Sequence, residues 1–262
     1  MNIWVRSGSP WVWLSAGMVS LNLVMVFGLL LLIAVRGLGH FWPATVQSIE
    51  VNDRDGPVFT LLGNIVDEEK VGAGRVRDRG GYVPDGVKII SRHLIKSGNR
   101  DIVGADFVWV NETDVRSRST PRDAVVLERD EWGNFYGFLI DVKQNGKVVA
   151  DGDRAWDVLQ QSIARKTELE AQIHRIEKKE IGKINYSMER IRLREKGLLL
   201  DGNNDRLAFE ILADDRAALE TQYEKFNTKL SNLYAEVGRD TITVKTVADQ
   251  VVELPTAALV RA

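Results

Sequence analysis

The sequence predicts a membrane-anchored α+β protein: one N-terminal transmembrane helix, a β-rich domain, and a long antiparallel coiled-coil hairpin inserted into that domain. Three observations carry the prediction. Ser7–Val35 contains no charged residue. Val46–Asp151 is a succession of short β-prone pieces between turn residues. Trp156–Val237 is densely charged, free of proline, and carries apolar residues at helical spacing.

The N-terminal stretch comes first. About 20 apolar residues at a rise of 1.5 Å each cross a hydrocarbon core about 30 Å thick. Trp11 and Trp13 before the run, and Arg36, Phe41 and Trp42 after it, have the character of membrane-interface residues. A secretory signal has an apolar region of about 7–15 residues followed by small residues. This run is longer, and the "RGLGHFWPA" behind it is bulky, so residues 11–35 read as a retained span. Lys and Arg near the membrane set orientation. Arg6 precedes the span, and Arg36 and Arg54 follow it, so charge alone leaves the side of the soluble part open.

Residues 44–151 read as the β-rich domain. "VFTLLGNIV", "GVKII", "ADFVWV" and "AVVLERDEWGNFYGFLIDVKQNGKVVA" are its strand-like pieces. Asn-Gly at Asn145–Gly146 marks a tight hairpin between Phe138–Lys143 and Lys147–Ala150. Trp132, Phe135, Tyr136 and Phe138 give the sheet bulk to bury. "VGAGRVRDRGGYVPDG", rich in glycine and charge, reads as an exposed loop.

Residues 152–238 read as two helical arms. The first carries Leu159, Ile163, Ile173, Ile176, Ile184, Met188, Ile191 and Leu198. The second carries Phe209, Leu212, Leu219, Tyr223, Phe226, Leu230, Leu233 and Val237. Steps of three and four in the second arm are those of a coiled-coil seam, with Arg216 at the one skipped position. "DGNND", Asp201–Asp205, supplies a turn, and Asp205 suits the N-cap of the second helix. Residues 239–262 return to strand: "TITVKTVADQVVELP" reads as a second hairpin, which makes the helical arms an insertion between β pieces.

The composition excludes several chemistries. The net charge is −2 with 27% charged residues, and no basic face suggests nucleic acid. With no cysteine there is no disulfide, thiolate metal site or cysteine nucleophile. His40, His93 and His174 lack ligand spacing. In "DGNND", Asp201, Asn203 and Asp205 match the start of a calcium loop, but Arg206 and Leu212 stand where Gly and Glu are required. "GAGRVRDRGG" lacks the Gly-Lys-Ser/Thr of a phosphate loop. No triad or paired-carboxylate arrangement is visible, so the chain reads as a non-enzyme with no cofactor.

The opening "SGSPWVWLSAGMVSLNLVMVFGLLLLIAVRGLGHFWPA", with "SGNRDIVGADFVWV", "LERDEWGNFYGFL" and "ITVKTVADQVVELP", resembles the long-form PstA-type permease subunit of the bacterial phosphate ABC importer. That resemblance implies a cytoplasmic N-terminus at residues 1–10 and a bacterial inner-membrane location, with the soluble part periplasmic. It implies as partners a second permease subunit, ATPase subunits whose ATP hydrolysis drives transport, and a periplasmic phosphate-binding protein. It also implies further spans after Ala262, where phosphate contacts would lie. From the residues alone, a periplasmic adaptor of an efflux or secretion system and the ectodomain of a membrane sensor stay open.

Overall fold

The computed structural model describes residues 9–40, 44–53, 57–202 and 205–262. The chain divides into two units, residues 1–45 and 46–262. Within the first, α1 (Ser9–His40) is a single helix of 32 residues. Its stretch Trp11–Leu38 has a mean hydropathy of 2.7, and none of its most apolar window is buried within the protein. By length and composition it can cross a membrane.

The second unit contains two antiparallel sheets. The first is built from β1 (Gln47–Val51), β2 (Phe59–Gly72), a short helix α2 (Ala73–Asp78), β3 (Ile89–Lys96), a helical turn α3 (Arg100–Val103), β4 (Phe107–Asn111), a 3-10 turn (Glu112–Asp114) and β5 (Val115–Ser119). Its strand order is β4-β3-β2-β1-β5. The two outermost strands follow each other in the chain through the three-residue 3-10 turn, so the sheet curls back on itself. Ile49, Val51, Ile95 and Val110 fill the inside of the curl. "VGAGRVRDRGGYVPDG" is not the plain exposed loop that its composition suggests. It contains α2, and Val71, Val76 and Ile90 form a small core of their own with Val83 and Val87.

The second sheet uses β6 (Ala124–Arg129), β7 (Asn134–Gln144) and β8 (Lys147–Asp151). The helical arms follow: α4 (Asp153–Arg175), a π-helical turn (Ile176–Ile181), α5 (Gly182–Leu200) and α6 (Arg206–Val237). β9 (Asp240–Lys245), β10 (Val251–Pro255), a 3-10 turn (Thr256–Ala258) and β11 (Leu259–Arg261) complete it. The order is β10-β9-β7-β6-β11, with β8 also pairing β7. Asn145 and Gly146 both have positive φ in the β7–β8 turn, as a two-residue hairpin requires.

The two sheets are copies of one design. Each has four strands in meander order, a three-residue 3-10 turn, and a fifth strand returning to pair with the first. The registers coincide in detail. A bulge interrupts β2–β3 between Ile65 and Asp67, and another interrupts β7–β9 between Leu139 and Asp141. Leu62-Gly63-Asn64-Ile65-Val66-Asp67 therefore superposes in register on Tyr136-Gly137-Phe138-Leu139-Ile140-Asp141. Both glycines are there for the same reason: a Cβ on Gly63 would overlap the Lys96 carbonyl, and one on Gly137 the Lys245 carbonyl. The helical arms leave the second sheet between its second and third long strands. The same connection in the first sheet carries α2.

The sheets are stitched together at one seam. Asn99, in the left-handed conformation, pairs its amide with the backbone of Tyr136: Nδ2 donates to the carbonyl at 2.8 Å and Oδ1 accepts from the amide at 3.0 Å. Tyr136 Oη meets Asn64 Oδ1 at 2.6 Å, and Arg129 grips Asp101 with two bonds of 2.9 Å. Burial holds the Tyr136 phenol above its ordinary pKa. The Arg129 hydrogen bonds outweigh burial and hold Asp101 below its own.

Candidate functional site

The helical arms are the feature that departs most from the sheet design, and their parts have separate tasks. At the root, Ala155, Leu159 and Ile163 of α4 close the core of the second sheet against Leu127, Phe135, Val142, Val244 and Leu259. Leu159 is fully buried. An ionic clamp fixes both ends of the insertion. The Asp240 carboxylate at the start of β9 accepts from Arg165 on α4 at 2.8 Å and from Arg239 at 2.8 Å. Burial pushes the Asp240 carboxyl up, but bonds from Arg239 and Ser162, with the charges of Arg165 and Arg239, outweigh it, and the net direction is down. Lys166, itself buried, donates to the Leu259 carbonyl at 3.1 Å and pairs Glu170 at 2.9 Å.

Beyond the root the two arms run back along each other. Leu169, Ile173 and Ile176 pack on Leu230 and Leu233. Tyr234 Oη donates to Glu177 at 2.8 Å, and further out Arg216 pairs Glu195. Of the residues the sequence assigns to the seam, Ile173, Ile176, Ile184, Ile191, Leu212, Leu230 and Leu233 are buried, and Met188, Leu198, Phe209, Leu219, Tyr223, Phe226 and Val237 are half-buried. Arg216, at the skipped position, reaches across to Glu195 rather than packing. Asp205 Oδ1 accepts from the Leu207 amide at 3.1 Å, the N-cap of α6.

The first arm is not one uninterrupted α-helix. Ile176 and Ile181 are five residues apart, where a heptad seam needs four. The π-helical turn at Ile176–Ile181 has a five-residue repeat and absorbs the extra residue. Ile181 thereby packs at the edge of the seam cluster and Ile184 stays buried.

The far end of the arms is apolar and uncovered. Leu199, Leu200, Leu207 and Ile211 lie exposed around the turn, Leu200 to 77%. Just behind them a groove of about 670 Å³ runs between the arms, floored by Ile191, Leu212 and Leu219 and edged by Arg190, Arg194 and Asp215. A seam accounts for one face of each arm only, so its spacing does not point to this end. The signal was the density of apolar residues in "GLLLDGNNDRLAFEIL", more than a two-helix seam uses.

On α1, Trp11 and Trp13 are exposed near its start and Arg36 is exposed near its end. Phe41 and Trp42, the other interfacial candidates, lie outside the described residues. Among the described residues no three His, Asp or Glu side chains are grouped to hold a metal ion. His93 sits 2.9 Å from Glu112, which also pairs Arg118, an ordinary ionic cluster at the 3-10 turn.

No protein family, curated protein or solved structure matches the chain.

Proposed function

We propose that the chain is the N-terminal portion of an inner-membrane permease subunit of an ATP-driven phosphate importer. In this reading α1 spans the membrane once, the second unit is periplasmic, and the arms form a coiled coil whose end contacts a partner subunit. The transport assignment rests on the sequence resemblance. The partner-contact role rests on one observation above all: Leu199 and Leu200 in the last turn of α5, and Leu207 and Ile211 in the first two turns of α6, lie uncovered at the far end of arms rooted in the second sheet. Exposed apolar clusters on a soluble body mark interaction surfaces. A root locked by Leu159, Asp240 and Lys166 suits a lever that must hold its far end in place.

The coiled-coil description is supported by the buried Ile184, Ile191, Leu212 and Leu230 and by the cross-arm pairs Glu177–Tyr234 and Glu195–Arg216. A span is supported by the hydropathy of Trp11–Leu38 and by the exposed Trp11 and Trp13. Replacing the outer part of the arms, residues 184–223, by a short linker tests the role, because it leaves Leu159, Ile163, Arg165 and Lys166 in place at the root. Phosphate uptake and co-purification with the second permease and the ATPase subunits are expected to fall. Unchanged uptake with an intact complex would overturn it. Association with an outer-membrane channel instead would favour a periplasmic adaptor.

A further inference from the structure

The connection between β2 and β3 of the first sheet holds a second feature that the fold does not require. α2 and the turn after it form one wall of a pocket of about 220 Å³, and the sheet forms the other. Arg75 and Arg79 line it from the first wall, and Arg92, Trp109 and Asn111 from the second. Arg92 lies over the Trp109 ring, 4.4 Å from its centroid, and pairs Glu69 at 2.5 Å. Its guanidinium is thus held in place on both sides. The side chains of Arg75 and Arg79 have no hydrogen-bond or ion-pair partner among the described residues.

The wall carrying them is fixed. Val76 is buried in its own small core. The Gly81 amide donates to the Val76 carbonyl at 2.7 Å, and a Cβ at Gly81 would overlap Val76. The Ala73 amide donates to the Lys88 carbonyl at 2.9 Å, and Thr113 Oγ1 donates to the Tyr82 carbonyl at 3.0 Å. Two arginines on a wall held by these contacts therefore line the same pocket as a third on the sheet.

The second sheet serves as an internal control. Register equates Glu69, Arg92 and Trp109 of the first sheet with Lys143, Thr241 and Glu253 of the second. There Glu253 accepts from Thr241 at 2.8 Å and pairs Lys143 at 3.3 Å. The same three places close on one another with their charges balanced. The design is thus satisfied without excess cations, and the arginines of the first sheet are an addition to it.

We infer that the Arg75–Arg79–Arg92 pocket binds a compact oxyanion, a phosphate or carboxylate group. The guanidinium fork bonds such oxygens in pairs, and two unpaired guanidiniums favour a ligand with more than one negative charge. The volume is below the range of about 300–1,000 Å³ typical of larger organic ligands, which limits the ligand to a small ion or a single head group. This inference is independent of the transport reading.

Titration calorimetry on the full chain in zwitterionic detergent tests it, with inorganic phosphate, succinate and a water-soluble short-chain phosphatidylglycerol in separate runs. Saturable binding of at least one is expected, and which one binds distinguishes a free anion from a lipid head group. Arg75→Gln with Arg79→Gln is expected to weaken it by about tenfold or more. Both side chains are exposed, so folding is retained. Arg77→Gln, on the same helix but outside the pocket, is expected to leave affinity unchanged. No binding in any run, or equal weakening by Arg77→Gln, would overturn the inference.

Discussion

Deleting one residue from the π-helical turn should leave the arms as stable as before, whereas deleting one a turn further on should not. Removal of Lys179 brings Ile176 and Ile181 to a spacing of four. The seam then reads Ile173, Ile176, Ile181, Ile184, Met188, Ile191 in unbroken steps of three and four. The turn can relax to α-helix, and every residue beyond it keeps its face. Lys179 is exposed, so nothing else is lost. Removal of Asn185, also exposed, has no π-helical turn to absorb it. It rotates Met188, Ile191 and Leu198 by about 100° off the seam. Re-exposing Ile191 alone costs about 2 kcal/mol, with Met188 and Leu198 adding to it. At about 2–4 °C per kcal/mol, the Asn185 deletion should lower the thermal midpoint by about 5 °C or more. Thermal melts followed by circular dichroism at 222 nm compare the two. Equal losses would refute the claim that the π-helical turn exists to absorb an extra residue in the seam.

Four further outcomes follow from the same contacts. Gly137→Ala should destabilise by about 3 kcal/mol in chemical denaturation, because its Cβ meets the Lys245 carbonyl and the Phe135 ring; Gly63→Ala should behave alike, since the repeat places it equivalently. Leu159→Ala, emptying a fully buried site between arm and sheet, should cost about 3 kcal/mol. Asp240→Asn should cost about 2 kcal/mol at neutral pH by removing a charged acceptor from two arginines. The Asp240 carboxyl is depressed in the folded protein, so its contribution is complete above the ordinary carboxylate pKa of about 3.9 and is lost as pH falls through the depressed value. The gap between Asp240→Asn and the parent should therefore narrow in strong acid, and a gap that widened there would reverse the assignment.

How far the sequence could be read depended on the range of the interactions involved. The Asn145–Gly146 hairpin and the Asp205 cap were legible because a turn and a cap are decided within a few residues. The helical period of α6 was legible because it is local too, and Leu212, Leu230 and Leu233 are its buried residues. The π-helical turn was also written in the sequence, as the five-residue step from Ile176 to Ile181, but it shows only when the seam is counted residue by residue. The duplication was harder. Within "LGNIVD" and "YGFLID" only the glycine and the aspartate are identical, and the helical arms interrupt the second copy. The segment after β2 was misread because Val71, Val76 and Ile90 find each other across a turn that composition alone describes as loop. The arginine pocket was invisible for a related reason. Arg75 and Arg79 are local to one another, but only the pairing of β2, β3 and β4 brings Arg92 and Trp109 opposite them.

The proposal that the apolar arm end joins this chain to a transporter has a direct test. The full chain carrying Leu199→Gln, Leu200→Gln and Leu207→Gln is co-expressed with the second permease, the ATPase subunits and the phosphate-binding protein, and the complex is recovered from membranes by a tag on this chain. All three side chains are exposed, so the arms should fold as before. The account predicts that the parent chain recovers the other subunits and supports phosphate uptake, and that the triple variant loses a subunit or uptake while its own level is unchanged. A parent chain that recovers none of them would contradict the transport reading. A variant that matches the parent in both respects would contradict the role given to the arm.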